Sequence, residues 1–524
     1  MNIKYLNILD NTFNTSLIGG AYKTGGSSNI SGLTNISGLS NIITSNKDNY
    51  ILLSCPEFNE TVNSIIELDA KSNIIKSTED DLKSKCITND DYEQFLEDIG
   101  HNLDDILEKE KKELMQNVAS ANPSQPKLQK STSNNINTLK KDLKNQELYA
   151  RSKSNIETEH FYRGFINWEK YGDKTPDIKM NKETVKRLKD GKVIYFAYFS
   201  FNELDSTSMI DQLLLLNSLS HYGVAEIHIV LPYFPVGTME RIVGEGEIPT
   251  GYALAQMINS IPSGSSKNKI YIFDIHALCS RFFFHTNTIP VLITLMPKYL
   301  EYITTKFPEN STETVMNIGS SNIGQSSTSN IKNLNIIVFP DDGAKKRFAK
   351  LLNKSTKTIT CSKVRDGNER KIKIDEGIEH LLELDEYNQP TDILKKNTNI
   401  NLFIIDDLVQ SGGTLIKTVE QVLSYLKSKY KKQEDTQLKF YTLVTHSILP
   451  IKNKQDKIDL FENQNIEQLI TSNSRPLKIK EILKELHTLK KEGKIYIIDI
   501  AYILYIIFIN HPEKSKYTAP YSII

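Results

Sequence analysis

The residues best equipped for chemistry follow one apolar run. Asn401-Leu402-Phe403-Ile404-Ile405 leads into Asp406-Asp407-Leu408-Val409-Gln410-Ser411-Gly412-Gly413-Thr414. The run reads as a buried strand that ends in two adjacent carboxylates, followed by a short loop and a helix start. Open α/β sheets bind ligands at the carboxyl ends of their strands. Gly412 and Gly413 let the backbone approach an anion, and Ser411 and Thr414 supply hydroxyls. The amides at the helix start complete a phosphate cradle. The Gly-x-x-x-x-Gly-Lys-Ser/Thr spacing of a P-loop is missing. Asp406 and Asp407 can bond two vicinal hydroxyls, directly or through Mg2+ and its waters. A phosphate on one side and a diol on the other describe a site for ribose 5-phosphate. The bland alternative is an acidic strand end with an ordinary helix cap.

Four further segments carry reactive groups. In Tyr271-Ile272-Phe273-Asp274-Ile275-His276-Ala277 a strand again runs into polar residues. His276 can ligate a metal that bridges polyphosphate oxygens, with Asp274 orienting it or its waters. A satisfied core histidine is the alternative, and Mg2+ ordinarily prefers oxygen. In Phe339-Pro340-Asp341-Asp342-Gly343-Ala344-Lys345-Lys346-Arg347, Asp341 stands just past a strand and can hold a cation, while part of the basic cluster reads as solvated surface. Lys363 and Arg365, two residues apart after Cys361, can close from a mobile loop over a transferring phosphoryl group. The charged run 361–373 reads equally as a solvated hairpin. In Pro232-Tyr233-Phe234-Pro235-Val236-Gly237-Thr238-Met239-Glu240-Arg241, the two aromatic residues suit a core or turn, and Glu240 and Arg241 suit contacts to a nucleotide.

These segments need strands and helices to hold them. Strand-like runs at Tyr50–Cys55, Lys192–Phe199, Glu226–Leu231 and Lys269–Phe273 alternate with helical patterns at Phe58–Leu68, Ser208–Ser220 and Gly251–Ile261. Pro290–Phe307 reads as a longer helical region. Alternation resumes with strands at Asn335–Phe339, Thr358–Cys361, Asn401–Ile405 and Phe440–Thr445, and helices at Ala344–Leu352 and Thr414–Lys427. The last shows Val419, Val422, Leu423 and Leu426 at i, i+3, i+4 and i+7. Such alternation predicts two α/β domains in tandem, each with a mostly parallel sheet covered by helices. The expected boundaries are a disordered Asn/Ser/Gly-rich extension at 1–49, a first domain at 50–307 with a polar insertion at about 70–152, a low-complexity insertion at 308–333, a second domain at 334–510 and a tail at 511–524.

Composition narrows the function classes. The chain has 524 residues, with 64 Lys+Arg against 64 Asp+Glu, so the formal net charge is zero. That balance gives no support for coating nucleic acid or an anionic membrane. Four separated cysteines without a C-x-x-C pair argue against a disulfide framework or a structural zinc. The most apolar stretch, Ile495–Ile509, contains Asp499 and is short for a bilayer span. A cytoplasmic protein is expected.

Taken in order, Ile405-Asp406-Asp407-Leu408-Val409-Gln410-Ser411-Gly412-Gly413-Thr414, Asp274-Ile275-His276-Ala277, Pro340-Asp341-Asp342-Gly343 and Lys363-Val364-Arg365 resemble ribose-phosphate pyrophosphokinases, also called phosphoribosyl pyrophosphate synthetases. The run 231–241, followed by Glu245-Gly246-Glu247-Ile248-Pro249-Thr250, looks most like the plant-type, phosphate-independent class. The resemblance implies tandem phosphoribosyltransferase-like domains. It implies transfer of a diphosphoryl group from ATP to ribose 5-phosphate, with AMP as co-product and Mg2+ as cofactor. By the same resemblance Asp406 and Asp407 bind the ribose hydroxyls, and Gln410, Ser411, Gly412, Gly413 and Thr414 line the 5-phosphate loop. Glu240, Arg241 and His276 face ATP, His276 and Asp341 hold the metal, and Lys363 and Arg365 are catalytic. Two positions depart from the animal and bacterial pattern. Thr238 stands where an adenine-stacking arginine is usual, and Gln410 replaces an acidic residue. Both match the plant-type class and imply looser nucleotide selectivity. A homo-oligomer is implied as well. The alternatives are a non-catalytic regulatory or scaffold subunit of such a complex, and an ordinary single-domain phosphoribosyltransferase.

Overall fold

The computed structural model describes residues 50–70, 72, 156–201, 207–285, 287–308, 310–315, 327–366, 369–376, 398–429, 437–449, 460–510 and 515–519. The expectations for 1–49 and for nearly all of the 70–152 insertion fall outside these residues.

The first half builds β1 (Tyr50–Ser54), β2 (Ile156–Glu157), β3 (Phe161–Arg163), β4 (Ile166–Lys170), β5 (Pro176–Met180), β6 (Lys192–Phe196), β7 (Glu226–Val230), β8 (Asn268–Phe273) and β9 (Thr288–Ile293). Among the described residues, seven of these form one sheet in the order β2-β3-β1-β6-β7-β8-β9, and β4 and β5 make a separate hairpin. Every pairing from β3 to β9 is parallel. The second half builds β10 (Asn310–Val315), β11 (Ser327–Phe339), β12 (Thr358–Asp366), β13 (Glu369–Glu376), β14 (Thr398–Val409), β15 (Gln437–Ser447), β16 (Ile466–Ser472) and β17 (Ile495–Ile498). They run β13-β12-β11-β14-β15-β16-β17, with β10 paired to β11. Only β10 and β13 are antiparallel to their neighbours. The chain is thus two α/β domains with mostly parallel sheets and flanking helices. Apolar runs such as Val193–Phe196 and Ile270–Phe273 are buried throughout, as central parallel strands covered on both faces must be.

Local signals explain several boundaries. Ser208 and Asp211 form a reciprocal capping box that starts the helix Met209–Ser218. That helix tightens into a 3-10 turn, Leu219–Tyr222, closed by Gly223 in the left-handed region at φ 72°. Pro290–Phe307, expected as one helical region, is instead β9 followed by the helix Met296–Lys306. Thr288-Ile289-Pro290-Val291-Leu292-Ile293 ladders with β8 on one side and, among the described residues, meets only a single bridge at Ile293 on the other, and a sheet edge tolerates Pro290. Part of the expected low-complexity insertion is β-structure, since Asn310–Val315 pairs antiparallel with Ser327–Lys332. The strand expected at Thr358–Cys361 continues to Asp366 and turns back through β13.

The inner faces of the two sheets share one core. It joins Tyr50, Tyr271 and Phe273 of the first domain to Phe339, Phe403 and Tyr441 of the second. The helix Ile500–Asn510 is apolar nearly all round and fills this core. Phe508 packs its ring 5.1 Å from Tyr271, 5.8 Å from Tyr50 and 6.0 Å from His228. Chain order alone gave this helix no partner; the structure packs it back on the first domain. Residues 515–519 then return to the edge of β9, where Thr294 N–H bonds the Tyr517 carbonyl and Ala519 N–H bonds that of Leu292. Phe508→Ala should cost about 3–5 kcal/mol of unfolding free energy. Denaturant titration measures it, and a loss below about 1 kcal/mol would contradict this core.

Candidate active site

The site lies where the carboxyl ends of β8 and β14 face each other. Asp406 and Asp407 end the apolar part of β14 and are both buried. Asp407 N–H donates to Asp406 Oδ1 at 2.9 Å, so the Asp406 side chain folds back over the next peptide. His276, three residues past β8, places Nδ1 2.7 Å from Asp407 Oδ2. A histidine of the first domain and a carboxylate of the second therefore meet directly.

Arg347 completes the cluster. It lies on the helix Asp342–Phe348 that follows β11. Its guanidinium donates to the His276 carbonyl and to Asp407 Oδ1, and to Asp406 Oδ1 at 3.3 Å. The sequence reading left Arg347 in a partly solvated basic cluster, yet the side chain is buried. A signal was available. With Asp341 as N-cap, Ala344, Arg347 and Phe348 fall at i, i+3 and i+4 on one face, which is the buried one.

Asp341 Oδ1 accepts from Ala344 N at 2.9 Å and so caps this helix. A Cβ at Gly343 would stand 3.1 Å from that oxygen. Behind β14, Gly412 has φ 88°, which suits glycine, and the Ser411 hydroxyl takes Gly413 N–H at 3.4 Å. The helix Gly413–Lys429 then begins, with Thr414 in its first turn. Gln410 is exposed, whereas Gly412 is buried.

The charges are unequal within the aspartate pair. Burial pushes the Asp406 carboxyl well above the usual range, and the neighbouring Asp407 charge adds to this. Burial would also raise Asp407, but the His276 hydrogen bond and the Arg347 charge outweigh it and hold Asp407 below that range. One of two adjacent buried carboxylates is thus kept anionic by named partners.

A cleft opens over this cluster, lined by Tyr233, Gly237, Thr238, His276, Asp407 and His446. A Cβ at Gly237 would crowd the Phe234 carbonyl oxygen at 3.2 Å and make only an ordinary contact, 3.8 Å, with His276 Cβ. Tyr233, expected as a core or turn residue, lines the cleft, with the His446 ring edge-on at 5.1 Å and the Arg475 guanidinium 5.0 Å over its face. His446 and Arg475 were not legible as site neighbours, because strand-end positions of separate strands converge only in the folded sheet.

Of the remaining expected residues, Glu240 and Arg241 are described with their side chains. Glu240 and Arg241 pair with each other at 3.6 Å, and Arg241 is largely exposed. Lys363 and Arg365, expected in a mobile loop, have their backbones in β12, in register with Ile372 and Arg370 of β13. Their side chains lie outside the described residues.

The donor chemistry around His276 suits a divalent metal. Asp407 holds His276 through Nδ1, which orients the opposite ring nitrogen as second-sphere carboxylates do for metal-binding histidines. The charge of Asp341 is close enough to raise Asp406. Among the described residues no group of three His, Cys, Asp or Glu side chains gathers to cage an ion. Two protein donors with the other positions left to water and phosphate oxygens suit Mg2+.

No family model matches the chain. It is 30% identical over 295 residues to ribose-phosphate pyrophosphokinase 4 of Arabidopsis thaliana, covering 56% of this chain and 70% of that protein. It is 29% identical over 307 residues to ribose-phosphate pyrophosphokinase 4 of Oryza sativa, covering 58% and 76%. With the ribose-phosphate pyrophosphokinase of Pyrococcus abyssi it shares 23% identity over 322 residues, covering 59% and 85%. A crystal structure of phosphoribosylpyrophosphate synthetase from Mycobacterium smegmatis overlaps 67% of this chain and 92% of its own, with 14% identity and a TM-score of 0.44. Tandem α/β domains with mostly parallel sheets and flanking helices define a phosphoribosyltransferase-like class. Within that class, the chain belongs to the ribose-phosphate pyrophosphokinase family.

His446 supplies a pH test. Burial pulls its pKa from 6.5 down to about 4. The unfolded chain therefore takes up this proton at higher pH than the folded one, and stability falls as pH drops from about 6.5 to about 4. Over that window the protein should lose about 3 kcal/mol more than His446→Gln. Urea titrations at stepped pH measure it; parallel pH curves would contradict the assignment.

Proposed function

We propose that the chain transfers the β,γ-diphosphoryl group of ATP to the C1 hydroxyl of ribose 5-phosphate. The C1 hydroxyl oxygen bonds to the β-phosphorus, the bond from that phosphorus to the α,β-bridging oxygen breaks, and the hydroxyl proton departs to solvent. The products are 5-phosphoribosyl 1-pyrophosphate and AMP. The observation that carries this reading is the bond between His276 and Asp407, which sets a metal-binding type of histidine beside a sugar-binding type of carboxylate pair.

In this reading Asp406 and Asp407 accept from the ribose hydroxyls, and Arg347 keeps Asp407 anionic to do so. Gln410, Ser411, Gly412, Gly413 and Thr414 receive the 5-phosphate at the start of the helix behind β14. Glu240 and Arg241 serve the nucleotide from the loop over the cleft. His276 and Asp341 would hold Mg2+, which neutralises polyphosphate charge when bound. Lys363 and Arg365 reach the transferring group from the β12–β13 hairpin and stabilise its developing charge. No covalent intermediate is required, since positioning and charge neutralisation suffice.

The plant-type class is the finer proposal. Thr238 lines the cleft where an adenine-stacking arginine is usual in other classes, so donor selectivity is loose; the resemblance to the plant-type class further implies activity without inorganic phosphate. We further propose a homo-oligomer acting in the cytoplasm. Free Cys55, Cys279 and Cys361 suit a reducing compartment. Among the described residues no helix is long and apolar enough to cross a membrane.

Purified protein given ribose 5-phosphate, ATP and Mg2+ should release AMP and phosphoribosyl pyrophosphate in equal amounts, without added phosphate. Lys363→Ala should lower kcat by about 100-fold or more with little change in KM for ribose 5-phosphate, as for a contact made mainly in the transition state. ADP as the nucleotide product would overturn diphosphoryl transfer. Weakened substrate affinities with kcat unchanged would overturn the role of Lys363.

A further inference from the structure

Phe273 ends β8, and Asp274 follows it and hands the chain on to His276. Both are tied to consecutive residues of the other domain, Thr445 and His446 on β15. The Thr445 hydroxyl donates to Asp274 Oδ2 at 2.6 Å. Thr445 has one hydroxyl proton, so the Tyr299 hydroxyl, 3.1 Å away, must donate to Thr445 Oγ1. One residue on, His446 Nε2 lies 2.9 Å from the Phe273 carbonyl. A carbonyl only accepts, so Nε2 carries the proton. His446 Nδ1 is then the acceptor of a neutral ring and takes the Ser474 hydroxyl at 2.9 Å. Thr445, His446, Ser474, Asp274 and Tyr299 are all buried.

These bonds hold a backbone that would otherwise relax. Asp274 has φ 30°, a conformation that costs a non-glycine residue of order 1–3 kcal/mol and persists only when its surroundings fix it. Asp274 Oδ2 also accepts from Leu295 N–H at 3.1 Å, so the strained residue is gripped from both domains. Two residues later the chain delivers His276 to Asp407.

We propose that Thr445 and His446 are positioning residues that fix His276 of the first domain against Asp407 of the second. This rests on the diphosphoryl-transfer reading above. The 5-phosphate and diol groups all belong to the second domain, so ribose 5-phosphate binding does not need the tie. Transfer does, because a misplacement of about 1 Å costs on the order of 100-fold.

Thr445→Val keeps the shape and removes the hydroxyl; Thr445→Ser keeps the hydroxyl. Thr445→Val should lower kcat at least tenfold while the calorimetric affinity for ribose 5-phosphate stays within twofold of the parent. Thr445→Ser should recover kcat to within about threefold. Should the valine variant not fold, Tyr299→Phe, which removes only the donor to Thr445, should lower kcat two- to fivefold with the same split. An unchanged kcat in the valine variant, or affinity falling in step with kcat, would overturn the proposal. A parent protein without turnover would overturn the transfer reading alone. The imidazole 15N signals of His276 then decide the tie: they should move in Thr445→Val and not in Thr445→Ser, and no movement in either would overturn it.

Discussion

Two adjacent carboxylates cannot both be buried and charged without compensation, and the rest of the site follows from how this chain meets that constraint. Each buried charge carries a desolvation penalty of several kcal/mol unless it is paired and hydrogen-bonded. Arg347 and His276 both address Asp407, and Arg347 also reaches Asp406. The three supporting elements come from separate parts of the chain: the end of β8, the helix after β11 and the end of β14. The charge balance therefore also fixes the relative placement of the two domains at the point where the substrates must meet.

The apolar interior works in the same direction. The shared core contains residues of both sheets, and the helix Ile500–Asn510, late in the chain, packs against the earliest strand through Phe508 and Tyr50. The helix after β9 packs on the second sheet, with Tyr302 donating to Gln468 at 2.6 Å and the Phe307 ring, just past its end, tilted against Tyr441 at 4.8 Å. A rigid junction of this kind suits a reaction that depends on alignment more than on a reactive side chain.

The sequence was most informative where local chemistry and chain order coincide. The aspartate pair, the glycine turn and the strand–helix alternation all express rules that act within about ten residues. The fold class agrees with that reading. It did not extend to groups whose meaning depends on distant neighbours. Arg347 looked solvated because its partners lie 59 to 71 residues away in sequence. Thr445 and His446 carried no signal because their partners, Phe273 and Asp274, are more than 170 residues off. Pro290 suggested a helix start, and only the sheet edge explains its place in a strand.

The central claim is that Asp407 and Arg347 of the second domain act as one buried unit, to which His276 of the first domain is bound. A double-mutant cycle on Arg347→Met and Asp407→Asn, read as unfolding free energy, tests it most directly. Removing either partner alone leaves the other charge uncompensated, so the double variant should be less destabilised than the sum of the singles by about 1–3 kcal/mol. Additive losses, within about 0.5 kcal/mol, would contradict the account.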